Sequence, residues 1–206
     1  PARAFSFTRA VDSREQRALR IQALTALAGG EPCLVLAGVD GARACLSPRS
    51  VFCKSQITVH KGDTLAMDDL IRRLVQGGYH REEAVSALGE FSLRGGILDV
   101  CTPMGAYRLD FFGDEVDSIK TMDPMSQRSL APQDGVTIAP CVETPMDARM
   151  VRDALFIMER EQKHNPSPRL QERMEELRGD NLGYAAEVVP YVSGGTCAVD
   201  YLGENG

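Results

Sequence analysis

Apolar positions alternate between helical and strand spacing along the chain. Ser13 and Gln16 stand three apart ahead of Leu19, Ala23, Leu24 and Leu27, and Gly29-Gly30 closes the pattern. A helix over 13–28 is predicted. Cys33 to Val39, CLVLAGV, is a continuous apolar run between glycine-rich stops, the pattern of a strand covered on both faces in a parallel sheet. Val39-Asp40-Gly41 leads into a short helix, and Gln56 to His60 reads as a connecting strand that reaches Lys61-Gly62-Asp63.

The texture then changes. Leu70, Ile71, Leu74 and Val75 form one face of a helix that stops at Gly77-Gly78. Short strand-like runs follow: Gly89 to Thr102 holds two around Gly95-Gly96, Pro103 to Ala106 makes a turn, and Tyr107 to Phe112 is a third. Gly113-Asp114 turns into the fourth, Glu115 to Met122. One helix on a small antiparallel sheet is the natural assembly. Beyond residue 134 the apolar strand VTIAPC returns, then Val151, Ala154, Leu155 and Met158 recur at helical spacing, and a further helix is expected over 168–177 after Asn165-Pro166-Ser167-Pro168. The mixed charges of RLQERMEELR read as a solvated face. The fold class is therefore α/β, with parts at 1–61, 62–133 and 134–206. A start at Pro1 and an end after the strand-like CAVDYL read as a piece of a longer chain.

At 43% hydrophobic, 206 residues can bury one ample core or a few small ones. No run approaches the roughly 18 to 20 apolar residues of a membrane span, and PARAFSFTRAVDSREQ lacks a secretory apolar segment. The expected location is cytoplasmic, with no membrane partner. Cys33, Cys45, Cys53, Cys101, Cys141 and Cys197 form no C-x-x-C pair, and His60, His80 and His164 stand alone, so free buried thiols are expected rather than a zinc or disulfide framework. A formal charge of -6 argues against nucleic acid as the main partner.

Catalytic patterns are not found. A P-loop needs a Gly-Lys-Ser/Thr ending so that backbone amides and the lysine hold phosphates. No Gly-Lys pair occurs, and Lys54, Lys61, Lys120 and Lys163 lie in unrelated contexts. Gly95-Gly96 reads as a turn, and Asp114-Glu115 as a solvated turn without a third metal ligand nearby.

One surface feature rises above this background. Alternation along YRLDFF puts Tyr107, Leu109 and Phe111 on one face and Arg108, Asp110 and Phe112 on the other. Phe112 thus shares a polar face. It is either an edge residue covered by a loop or a bulge, or a docking spot in which an exposed aromatic stands beside arginine. Arg94, just before the paired glycines, can lie on a neighbouring strand of the same sheet.

The run from Leu70 to Leu130 resembles the small domain shared by UvrB and the bacterial transcription-repair coupling factor Mfd. Gly78-Tyr79 with Arg81, Gly89-Glu90-Phe91, Arg94-Gly95-Gly96-Ile97-Leu98-Asp99, Phe111-Phe112-Gly113-Asp114-Glu115 and Asp123-Pro124 with Gln127-Arg128-Ser129 come in that family's order. Both the GEFS before RGG and the SQRS after the fourth strand are closer to Mfd than to UvrB. The resemblance implies a partial, degenerate P-loop-type ATPase-like module. Residues 1–61 would be the end of its domain 1a, 62–133 an inserted UvrA-binding α+β domain, and 134–206 a helical return into the module. It implies a non-enzymatic docking role without a cofactor: recruiting UvrA to stalled RNA polymerase in transcription-coupled nucleotide excision repair, with Arg94, Arg108 and Phe112 as the UvrA contacts. RNA polymerase and DNA would be engaged only through other domains of an ATP-driven translocase parent. The short link from Ser47 to Thr58 leaves little room for the DNA-clamping hairpin of UvrB. A UvrB fragment or a stand-alone nucleic-acid-binding domain are the alternatives.

Overall fold

A computed structural model of the chain describes residues 14–30, 33–179 and 195–202. In chain order these carry α1 (Arg14–Gly29), α2 (Val39–Ala42), α3 (Arg49–Ser55), β1 (Ile57–His60), α4 (Met67–Gln76), β2 (His80–Arg81), β3 (Glu90–Arg94), β4 (Ile97–Thr102), β5 (Gly105–Phe112), β6 (Glu115–Asp123), β7 (Arg128–Gln133), β8 (Gly135–Ile138), α5 (Ala148–His164) and α6 (Pro168–Arg178). A 3-10 turn over Ala198–Tyr201 follows. Among the described residues no helix is long and apolar enough to cross a membrane. The chain divides into two units, one containing Ala23–Cys53 and Val142–Gly206, the other Ser13–Gln22 and Lys54–Cys141.

The second unit carries a six-stranded sheet in the order β2-β3-β4-β5-β6-β7 and a separate antiparallel pair, β1 with β8. The large sheet is antiparallel except where β2 runs parallel to β3. One sheet face packs against α4. Leu70 and Leu74 join Phe91, Leu98, Val100, Leu109, Val116 and Ile119 in a core that also takes in Ile57, Val59, Val136 and Ile138 from the two-stranded pair. Asp68 and Asp69 sit in the first turn of α4, where carboxylates favour the helix dipole. The helix ends as expected, because Gly78 takes φ 86°, a value that costs other residues strain. Val75, assigned by spacing to the buried face, is instead exposed. The phenol of the buried Tyr79 donates to the carbonyl of Ala139 at 2.5 Å.

In the first unit α5 and α6 pack through Met146, Met150, Ala154 and Met158 against Met174 and Leu177. Asp147 caps α5 by accepting from the Met150 amide at 2.8 Å, and Ser167 caps α6 ahead of Pro168. RLQERMEELR keeps Arg169, Glu172, Glu175 and Arg178 exposed, but Arg173 and Glu176 form a half-buried ion pair, and Met174 and Leu177 join this interface. Tyr201 is buried, donates to the Ser47 carbonyl at 2.7 Å and meets Phe52 edge to face at 5.9 Å.

CLVLAGV is not a strand: residues 33–38 have no regular structure, and Leu34 and Leu36 are 86% and 87% exposed. A parallel strand needs neighbours on both sides, and the described residues of its unit hold none. CAVDYL is not a strand either, because the Asp200 carboxylate accepts from the Cys197 amide at 2.7 Å and winds the segment into a 3-10 turn. The cysteines are free, but only Cys141 is buried; Cys33 and Cys53 are exposed and the rest half-buried.

Candidate functional site

The sheet face turned away from α4 is set out by two tight hairpins. Gly95-Gly96 closes β3 onto β4, pairing Arg94 with Ile97 and Ser92 with Asp99. Gly95 supplies φ 61°, the positive value a two-residue loop of this twist needs at its first position. The turn after Thr102 pairs that residue with Gly105, which sets Asp99 opposite Arg108 and Ile97 opposite Asp110. Across β6, Arg108 faces Lys120 and Asp110 faces Ser118. Two rows of side chains therefore lie on this face, Ser92–Asp99–Arg108–Lys120 and Arg94–Ile97–Asp110–Ser118, polar throughout except for Ile97.

The alternation predicted for β5 is present: Leu109 is buried and Phe112 is 84% exposed. A bulge does occur at this point, but on the other strand. Asp110 pairs with Ser118 and Phe111 with Val116, which leaves Asp117 as the extra residue on β6. The buried positions of β6 accordingly shift to Val116 and Ile119, three apart, while β5 keeps its parity and Phe112 stays outward. Phe111 is half-buried against the core.

Asp99 organises the two arginines. Its carboxylate is fully buried and accepts from Arg108 Nε at 2.6 Å and Nη2 at 2.8 Å, and from Arg94 Nη2 at 2.7 Å. These bonds raise the Arg108 guanidinium above its ordinary value, against the effect of burial. Arg108 Nη1 also donates at 3.3 Å to the Gln127 carbonyl and to Ser129 Oγ. Gln127 holds φ 58° and its amide donates to the carbonyls of Val85 and Pro124, so the SQRS segment is fastened to the sheet partly through Arg108. The two arginines differ in availability. The Arg108 side chain is 16% exposed and that of Arg94 50%. Asp110, beside them, is paired with the Lys120 ammonium at 2.9 Å and accepts from the Ser118 hydroxyl at 2.5 Å.

Arg94, Arg108 and Phe112 thus share one face, joined by a residue not singled out from the sequence, Asp99. Its signal lay in the loop lengths: two-residue turns fix register, and register places Asp99 opposite Arg108 and diagonal to Arg94. A second apolar patch, Val85, Ala106 and Met122, covers another part of this face and was also not anticipated. Among the described residues no cluster of His, Cys, Asp and Glu side chains has a metal-binding arrangement.

A charged, carboxylate-pinned sheet face that carries an exposed aromatic shares the residue types enriched at interface anchors. Residues 57–143 match the family described as the UvrB interaction domain. The chain is 40% identical over 136 residues, 65% of its length, to the transcription-repair-coupling factor of Bacillus subtilis (strain 168). It is 40% identical over 111 residues, 53% of its length, to that of Staphylococcus aureus (strain USA300), and 41% identical over 111 residues to that of Staphylococcus epidermidis (strain ATCC 12228 / FDA PCI 1200). These matches span 12%, 10% and 10% of the relatives' own lengths.

Proposed function

We propose that the outward face of the six-stranded sheet docks UvrA, and that the chain is the docking part of a transcription-repair coupling factor that brings excision repair to stalled RNA polymerase. The observation that carries this reading is the pairing of an exposed Phe112 with the half-exposed Arg94 on a rigid sheet face. An aromatic ring brings apolar burial at small entropy cost, and a guanidinium brings charge-assisted bonds to carboxylates; together they are the usual anchors of an interface. The family matched by residues 57–143 and the names of the similar proteins support the same reading. Arg108 takes part chiefly by fixing the face, since its guanidinium is already bonded to Asp99.

The same proposal takes 1–61 and 134–206 as parts of a degenerate ATPase-like module around the inserted domain at 62–133. Exposure of the apolar Leu34 and Leu36 supports it, because such a run calls for sheet neighbours. Capture of purified UvrA on the immobilised chain tests the docking role. Wild-type chain should retain UvrA and Arg94→Glu should lose most of it, since like charges are then set against each other. Equal retention by both would contradict the assignment.

A further inference from the structure

We infer that Asp99 is a positioning residue for the docking face: it holds the Arg94 guanidinium where a partner's carboxylate can meet it. This rests on the reading of that face as the UvrA dock and adds to it a residue that cannot touch a partner. Asp99 is fully buried, yet its Oδ2 accepts from Arg94 Nη2 at 2.7 Å while Arg108 occupies Oδ1 and shares Oδ2 from the next strand.

The geometry leaves Arg94 with one function-bearing edge. Arg94 ends β3 immediately before the Gly95-Gly96 loop, where a long side chain has many rotamers and ordering it on binding costs conformational entropy. A buried carboxylate tethers one guanidinium nitrogen and leaves the other donors free on the exposed half of the side chain. Asp99 is held by Arg108, whose Nη1 is in turn tied to Gln127 and Ser129, so the tether point itself cannot drift. Part of the ordering cost is therefore met before the partner arrives. An ammonium group could carry the same charge to this place but could not be both held and presented in the same planar geometry.

Calorimetric titration of UvrA into the full chain tests the inference with Arg94→Ala, Asp99→Asn, the double variant and Arg94→Lys, each first checked by thermal melting. Asp99→Asn should bind about tenfold more weakly than wild type. In the Arg94→Ala background the same change should have no further effect on affinity, which a merely structural loss of stability would not reproduce. Arg94→Lys should bind nearly as poorly as Arg94→Ala. That variant leaves the buried carboxylate and Arg108 in place, and it decides the matter even if Asp99→Asn melts below the assay temperature. Wild-type affinity in Arg94→Lys, or equal and additive losses in the cycle, would overturn the positioning role while leaving the docking face standing. Wild-type affinity in Arg94→Ala together with Phe112→Ala would overturn the docking face itself.

Discussion

Asp99 and Arg108 meet across neighbouring strands as a fork, with the buried carboxylate accepting Nε at 2.6 Å and Nη2 at 2.8 Å. A buried pair of this kind is costly to break from one side, because the remaining charge has no water to turn to. Arg108→Ala should therefore lower stability by about 3 kcal/mol, with Arg94 as the one cation left to Asp99 among the described residues. Urea unfolding measures it. Arg72→Ala, which removes an exposed pair with Asp69, should change stability by less than about 1 kcal/mol under the same conditions.

Gly96 is a second place where the fold leaves no latitude. A Cβ there would lie 2.6 Å from the Phe111 carbonyl oxygen, and the Gly96 carbonyl already accepts from the Phe111 amide at 2.7 Å. The backbone of β5 would have to move. Gly96→Ala should cost about 2 kcal/mol in urea unfolding, in the range found for forced overpacking.

Acid should loosen the outer face through Asp110. Burial pulls its carboxyl up, but the bonds from Ser118 and Lys120 outweigh that and leave it below the ordinary value. For a carboxyl depressed by folding, the stabilisation is complete above the unfolded value of about 3.9 and is lost as pH falls through the lower folded value. Thermal melts from pH 7 to 2.5 should show wild type losing its advantage over Asp110→Asn below about pH 4, with a constant difference above about pH 5. A difference that stays unchanged to the lowest pH would refute the contribution.

The strands β3 to β6 were legible because glycine and proline turns bracket them and β5 alternates, although Leu98 to Val100 of β4 are buried in succession and a bulge breaks the period of β6. Strand β7 was not. Its six residues, RSLAPQ, are all exposed and include Pro132, so neither alternation nor composition marks an edge strand of this kind. Strand β2 is two residues long and leaves no pattern. CLVLAGV misled for a different reason: hydrophobicity reports what a segment could bury, and a strand also needs partners for its amides. In the docking face, period-two spacing found Arg108 and Phe112, since both follow from one strand. Asp99 depends on the pairing of β4 with its neighbours, which became readable only with the hairpin lengths.

Burial should also sort the thiols. It pushes the Cys141 thiol up to about 12, so the reactive thiolate is scarce at neutral pH and the sulfur is shielded besides. Iodoacetamide at pH 8 should label the exposed Cys33 and Cys53 first and leave Cys141 unmodified until the protein unfolds. Peptide mass mapping over a time course reads the order directly; early labelling of Cys141 would contradict its placement beneath the sheet.

Phe112 and Leu109 lie on the same strand, and a comparison of the two separates docking from folding. Leu109 is fully buried, so Leu109→Ala should lower stability by about 3 kcal/mol through lost contacts and the cavity left behind. Phe112 touches little in the free chain, so Phe112→Ala should melt as wild type does. In calorimetric titration with UvrA, Phe112→Ala is predicted to bind roughly thirtyfold more weakly, the effect of losing an anchor of about 2 kcal/mol. Wild-type affinity in a fully folded Phe112→Ala chain would contradict the account.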